Sequence, residues 1–372
     1  MNKKSLEFLR RLCNAFGPAG FEREPIKITR EYIANYVDEI TYDRLGSLVF
    51  KKVGQCKAPL VLLPGHVDEV GFIVSGIDET GYLTFNPLGG WFDQVLLGHR
   101  VKIRTRDGEI EGIIAAKPPH LLSRQEREKV ITKDKMFIDI GCANVDEAKD
   151  KGVRIGDPVV PDSSFLLTEK SVFEEGKRRG KDRLAMGKAF DDRIGVFIAA
   201  EVIRRLFEQR IAHPNTVLGA ATVQEEVGLR GARTTAHVAR PDVCITLEVD
   251  ISGDVPGIKP HQAPAKMGKG PSILTFDASM IPNQALKEMV ISVAEKNGIP
   301  YQLSQVSAGG TDAGAIHIHG EGCPSLVVGV ATRHIHSHTG ILSLTDVENC
   351  IKLVIEVVRV LDEKTVKGFT TL

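Results

Sequence analysis

Apolar and polar positions change rhythm several times along the chain. At the start, Leu6, Leu9 and Leu12–Cys13 recur on one face at helical spacing, with Ser5 as a cap, and "GPAGFE" ends the run. "EPIKITREYIANYV" predicts a second amphipathic helix, and "EITYDRLGSLVFKK" a strand, a turn and a strand. "APLVLLPGHVDEVGFIV" opens with an almost unbroken apolar run, as a strand buried on both faces does. From Gly71 to Phe165 the runs are short, β-like and separated by turn signals, including the Asp-Gly of "RTRDGEIEG". Within that stretch only "NVDEAKDKG" reads as a helix. Leu121 to Lys135 reads as a solvated or mobile loop.

After "KAFDDR" comes a long helix, "IGVFIAAEVIRRLFEQR". Strands such as "NTVLGAATV", "DVCITLEV", "PYQLSQV" and "PSLVVGVA" then alternate with helices such as "GARTTAHVA", "NQALKEMVISVAEKNG" and "LTDVENCIKLVIEVVRVL". That order implies an α/β fold with a mainly parallel sheet covered on both faces. The expected organisation is an α/β domain of residues 1–71 and 166–372, interrupted by a small β-rich insertion, PDZ-like or a barrel, at 72–165. A length of 372 residues suits two domains better than one core.

In such sheets function gathers at the carboxyl ends of strands. Five apolar runs here end in imidazole or carboxylate: His66, Asp68 and Glu69; Asp191 and Asp192; Glu225 and Glu226; Glu248 and Asp250; His334, His336 and His338. Any one such group is usually a cap, a salt bridge or a surface residue. His99, His120, His213, His237, His261, His317 and His319 are read that way, and so are His334 and His338. Asp192 is read as a partner of Arg193 or as a residue that orients its neighbour. Together, two histidines and three acids suit a pair of divalent metal ions, with zinc, cobalt and manganese all compatible. A further glutamate beside them would serve as general base.

Composition narrows the rest. Forty-eight basic residues balance forty-eight acidic ones, so charge gives no reason to propose nucleic acid or a membrane as partner. The six cysteines are scattered with no C-x-x-C pair, which disfavours a disulfide framework or thiolate zinc site. The amino-terminal segment lacks the apolar core of a signal peptide, and no apolar run approaches the roughly 18–20 residues of a membrane span. The expected location is the cytoplasm. Phosphate-binding loops, the dinucleotide fingerprint, the G-x-S-x-G elbow and H-E-x-x-H are all absent from the sequence.

The motifs "GHVDEVGF", "GKAFDDRIG", "VQEEVGLRGA", "GDVPG", "GGTDAG" and "RHIHSHTG" occur in this order over nearly the whole chain. With them the chain resembles the glutamyl aminopeptidase family of dinuclear metallopeptidases, which includes the tetrahedral (TET) and deblocking aminopeptidases. The resemblance implies that His66 and His336 are imidazole ligands, Asp191 the bridging ligand, and Glu226 and Glu248 terminal carboxylate ligands. It implies that Asp68 orients His66, that Glu225 is the general base, and that the bond after Asp191 is cis. It also implies peptide substrates, a dimerising role for the inserted domain and a dodecameric tetrahedral shell. Many members have Asp where this chain has Glu248, and Asp250 on the same strand face is the alternative ligand. Other readings are a metal-dependent deacylase of small N-acyl substrates, a glycoside hydrolase and a catalytically silent assembly protein.

Overall fold

A computed structural model describes residues 1–174 and 177–370. Strands β1 (Glu39–Tyr42), β2 (Leu48–Val53) and β3 (Leu60–His66) lead to six short strands. These are β4 (Gly71–Ile77), β5 (Leu83–Leu88), β6 (Arg100–Thr105), β7 (Gly108–Ala115), β8 (Phe137–Asp139) and β9 (Pro158–Pro161). The chain continues through β10 (Leu166–Glu174), β11 (Lys177–Gly187), β12 (Thr216–Thr222), β13 (Val243–Ile251), β14 (Ser272–Asp277), β15 (Gln302–Val306), β16 (Ser325–Arg333) and β17 (Gly340–Ser343).

Two bodies result. β4 to β9 close into a barrel with antiparallel pairings, so the β-rich insertion is a barrel with its own core around Phe72, Leu83, Ile103 and Val159. The remaining eleven strands form one mixed sheet. Its centre, β12–β3–β13–β16, is parallel throughout, as the strand–helix alternation predicts. Antiparallel strands extend both sides: β2 and β1 beyond β12, and β17, β11 and β10 beyond β16. The long β10–β11 hairpin is absent from the sequence reading. Its charged, exposed positions in "KRRGKD" carry no one-sided apolar alternation.

The helix Phe190–Glu208 packs against β3 and β13 and is buried almost all round. Its backbone comes very near the sheet. A Cβ on Gly195 would lie 2.2 Å from the carbonyl oxygen of Leu247 and 2.4 Å from Asp192 Oδ2, so only glycine fits. This approach brings the start of the helix beside the carboxyl end of β3.

Three local expectations change. The first helix, Lys3–Asn14, is capped by Asn2, whose side chain accepts from the Ser5 amide; Ser5 lies inside the helix and bonds to Glu201. Leu121 to Lys135 is exposed as expected but contains a capped turn of helix at Arg124–Arg127. β12 stops at Thr222, before the two glutamates.

Candidate metal centre

The strand ends converge. His66 is the last residue of the parallel strand β3, and Thr222 ends β12 directly opposite it. Glu248 lies in β13, which pairs with β3 on its other side. Asp191 stands at the start of the helix that crosses under them, and the bond from Asp191 to Asp192 is cis. His336 lies in the loop after β16 with φ 53°.

Asp191 faces both imidazoles. Its Oδ1 lies 3.0 Å from His66 Nε2 and its Oδ2 lies 3.2 Å from His336 Nε2. Glu226 Oε1 lies 3.6 Å from His336 Nε2, and Glu225 Oε2 lies 3.7 Å from His66 Nε2. Glu225 is therefore beside one imidazole and Glu226 beside the other. Alternation along a strand does not separate them. Gln224, with φ 55°, turns the chain, and the Glu225 carbonyl accepts the amides of Gly228 and Leu229.

Among the described residues, two groups of donor atoms fall within 4.8 Å of one another and both include His66. One adds Asp191 and Glu226, the other Asp192 and Glu248. Asp192 was not read from the sequence as a ligand. Its Oδ2 accepts the His66 amide at 3.1 Å and its Oδ1 the Gly195 amide at 2.9 Å, so it braces β3 against the helix. It does not pair with Arg193. Asp250 stays outside both groups, although it too is buried, so the structure brings in Glu248.

Asp68 is fully buried. Its Oδ1 accepts the Glu225 amide at 3.0 Å and its Oδ2 the Glu226 amide at 3.2 Å. His66 Nδ1 sits 3.1 Å from the Asp68 carbonyl oxygen and 3.6 Å from its carboxylate. The ring is thus fixed chiefly by the backbone of Asp68, while the side chain fixes the glutamates. Glu69 faces away from the group. It pairs with Lys188 at 2.6 Å and Arg193 at 3.0 Å, and Arg193 also donates to the carbonyls of Leu12, Ala15 and Gly17. His334 is exposed, and His338 is buried against His99 at 3.7 Å between ring centroids. Neither joins the donor groups.

Electrostatics set the demand for positive charge. Burial, together with neighbouring carboxylates, pushes Glu225 and Glu248 well above the ordinary carboxylate range and Glu226 up to about 8. Burial opposes charge on His66 and His336, but the surrounding acids overcome it and raise His336 to about 10. Asp191 is buried too, yet the two imidazoles hold it below the ordinary range. Glu226 Oε1 is buried and has no hydrogen-bond partner among the described residues. Buried like charges with an orphaned oxygen are costly unless a cation is shared among them. The donor set, imidazole with carboxylate, fits divalent metal ions of the zinc, cobalt and manganese kind.

Glu22, on the amino-terminal segment, was missed in the sequence. Its Oε1 accepts the amides of Gly20 at 2.6 Å and Gln224 at 3.1 Å. No spacing rule links residues 22 and 224; the only sequence signal is an acid just after the glycine break.

Comparison with known proteins agrees with this geometry. The crystal structure of a TET aminopeptidase from the marine sediment archaeon Thaumarchaeota archaeon SCGC AB-539-E09 is 59% identical, covers 99% of each chain and superposes with a TM-score of 0.93. Pyrococcus horikoshii TET1 peptidase, described as assembling into a tetrahedron or a large octahedral shell, is 30% identical over 96% of this chain and 100% of its own, with a TM-score of 0.82. The glutamyl aminopeptidase of Lactococcus lactis is 31% identical over 85% of this chain and 86% of its own. The lysyl aminopeptidase of Pyrococcus furiosus is 30% identical over 93% and 94%. The model of the M42 glutamyl aminopeptidase family matches residues 46–353, and the chain belongs to that family of aminopeptidases.

Proposed function

We propose that this aminopeptidase works through two divalent metal ions held by His66, Asp191, Glu226, Glu248 and His336, with Glu225 as general base. The observation that carries this reading is Asp191, whose two carboxylate oxygens each face a different imidazole. A carboxylate so placed would be shared between two cations, with His66, His336, Glu226 and Glu248 as the residues that would hold them. When bound, such ions polarise the scissile carbonyl and lower the pKa of water.

The chain's own residues do the rest. Glu225 stands beside the group, its Oε2 3.7 Å from His66 Nε2, and as a carboxylate it would take a proton from the attacking water and deliver it to the leaving amine. Asp68 holds the amides of both glutamates, so base and ligand keep their separation. A cleft of about 750 Å³ opens on the group, room enough for the end of a peptide.

Zinc is the first expectation for the native ion, with cobalt or manganese as alternatives. The proposed domains are 1–71 with 166–372, and 72–165 around the closed barrel. The barrel is proposed to mediate dimerisation and the dimers to build a dodecameric tetrahedral shell. A cytoplasmic location is proposed from the six unpaired cysteines.

The test is a panel of aminoacyl and N-acyl substrates, with and without chelator. Release of free amino-terminal residues that chelator abolishes and metal restores is the expected result. Preferential cleavage of N-acyl amino acids would replace the aminopeptidase reading with a deacylase.

A further inference from the structure

The cleft has walls that the chemistry above leaves without a role. Leu274 on β14 and Val306 on the neighbouring parallel strand β15 line it. Val249 and Ile251 at the end of β13 do so too, with Leu229 and Ile335 from the loops that carry Glu226 and His336. Among the described residues that line it there is no lysine and no arginine.

One further carboxylate, Asp277, stands in this wall, but it is 1% exposed. Its Oδ1 accepts the Ser279 amide at 2.7 Å and the Ser279 hydroxyl at 2.6 Å, and its Oδ2 accepts the Thr311 hydroxyl at 3.1 Å. Asp277 therefore braces the loop carrying "GGTDAG" and is engaged within the protein. The remaining acids of the cleft, Asp191, Glu225, Glu226 and Glu248, belong to the metal group.

We propose that this wall is the binding site for the substrate's amino-terminal side chain, and that it selects uncharged, apolar residues of the leucine and methionine class over glutamate, aspartate and lysine. The inference rests on the aminopeptidase reading of the site. An acidic side chain would shed its water against aliphatic groups with no cation to meet it. A lysine would find its nearest available wall carboxylate already bonded. Both lose hydration without replacement, whereas an aliphatic side chain gains from leaving water. The preference would differ from those in the names of the glutamyl and lysyl relatives.

The test compares kcat/KM for leucyl, methionyl, glutamyl, aspartyl and lysyl coumarylamides on the metal-loaded protein. It includes Ile251→Arg and Ala308→Arg, which place a cation on exposed positions of the same wall. The leucyl and methionyl substrates are expected to lead the charged ones by on the order of a hundredfold. At least one of the two variants should narrow the leucyl-to-glutamyl ratio about tenfold or more. Glutamyl or lysyl turnover equal to leucyl, or an unchanged ratio in both folded variants, overturns the assignment. Calorimetric titration with free L-leucine, L-glutamate and L-lysine reads the pocket without catalysis. Leucine binding tightest supports the proposal, and tighter glutamate or lysine binding refutes it. If no aminoacyl substrate is cleaved but N-acyl controls are, the aminopeptidase reading fails, and the titration still decides the pocket.

Discussion

Three successive amides, those of Gln224, Glu225 and Glu226, are held by two carboxylates from distant parts of the chain, Glu22 and Asp68. Gln224 is in the left-handed region, which costs a residue other than glycine roughly 1–2 kcal/mol. Glu22 ties that amide down, just before the proposed base. Glu22→Ala should therefore lower kcat by on the order of ten- to hundredfold while KM and bound metal change little. Glu22→Gln keeps an amide oxygen to accept both bonds, so it should restore most of the rate; a merely structural role would not give that split. Burial and the nearby Asp68 raise Glu22 to about 7. Its folded pKa lies above its unfolded one, so the folded state binds the extra proton. Its contribution to stability is complete below about 4.5 and is lost as pH rises through about 7. Chemical denaturation of wild type and Glu22→Gln across that range should give a slope in the wild type that is flatter in the variant.

At the scale of elements, the site is the meeting of parallel strand ends with one helix start. The sequence displays much of this, because apolar runs that stop at His66 and shortly before the glutamate pair announce strand ends carrying polar groups. It does not display the turn at Gln224, since φ above zero outside glycine leaves no pattern in composition. Nor does it show that Glu69 turns away to the Lys188–Arg193 network while Asp68 turns inward, since both follow the same strand. That network fixes the amino-terminal segment to the helix of Asp191 through one buried carboxylate. Replacing Glu69 with alanine leaves two buried cations short of a partner and should destabilise the protein by about 3–5 kcal/mol. Equilibrium unfolding in urea checks this, and a loss within about 0.5 kcal/mol of zero would mean the network is solvated.

At the scale of the whole molecule, the inserted barrel and the mixed sheet have separate cores, and the barrel is the part proposed to serve assembly. Three apolar residues of the segment around and within the barrel stand out in water: Phe92 at 59%, Leu121 at 68% and Ile155 at 71% exposure. These are the positions that contacts made by the barrel in the proposed assembly would cover. The proposed assembly predicts a particle of many 40.6 kDa chains by light scattering. Phe92→Asp with Leu121→Asp should reduce its mass if the barrel mediates the contacts. The shift in texture between Gly71 and Phe165 made the insertion legible. The structure decides for the barrel over a PDZ-like form, a choice the sequence leaves open because closure depends on pairings between strands distant in sequence, such as β4 with β9.

The most direct test of the account is metal content measured beside turnover in Glu225→Gln and Glu226→Gln. Glu225→Gln should keep the wild-type metal content, proposed to be two ions per chain, and lose activity by at least about a hundredfold. Glu226→Gln should lose metal. Wild-type turnover by Glu225→Gln, or full metal retention by Glu226→Gln, would contradict the division of the pair into base and ligand.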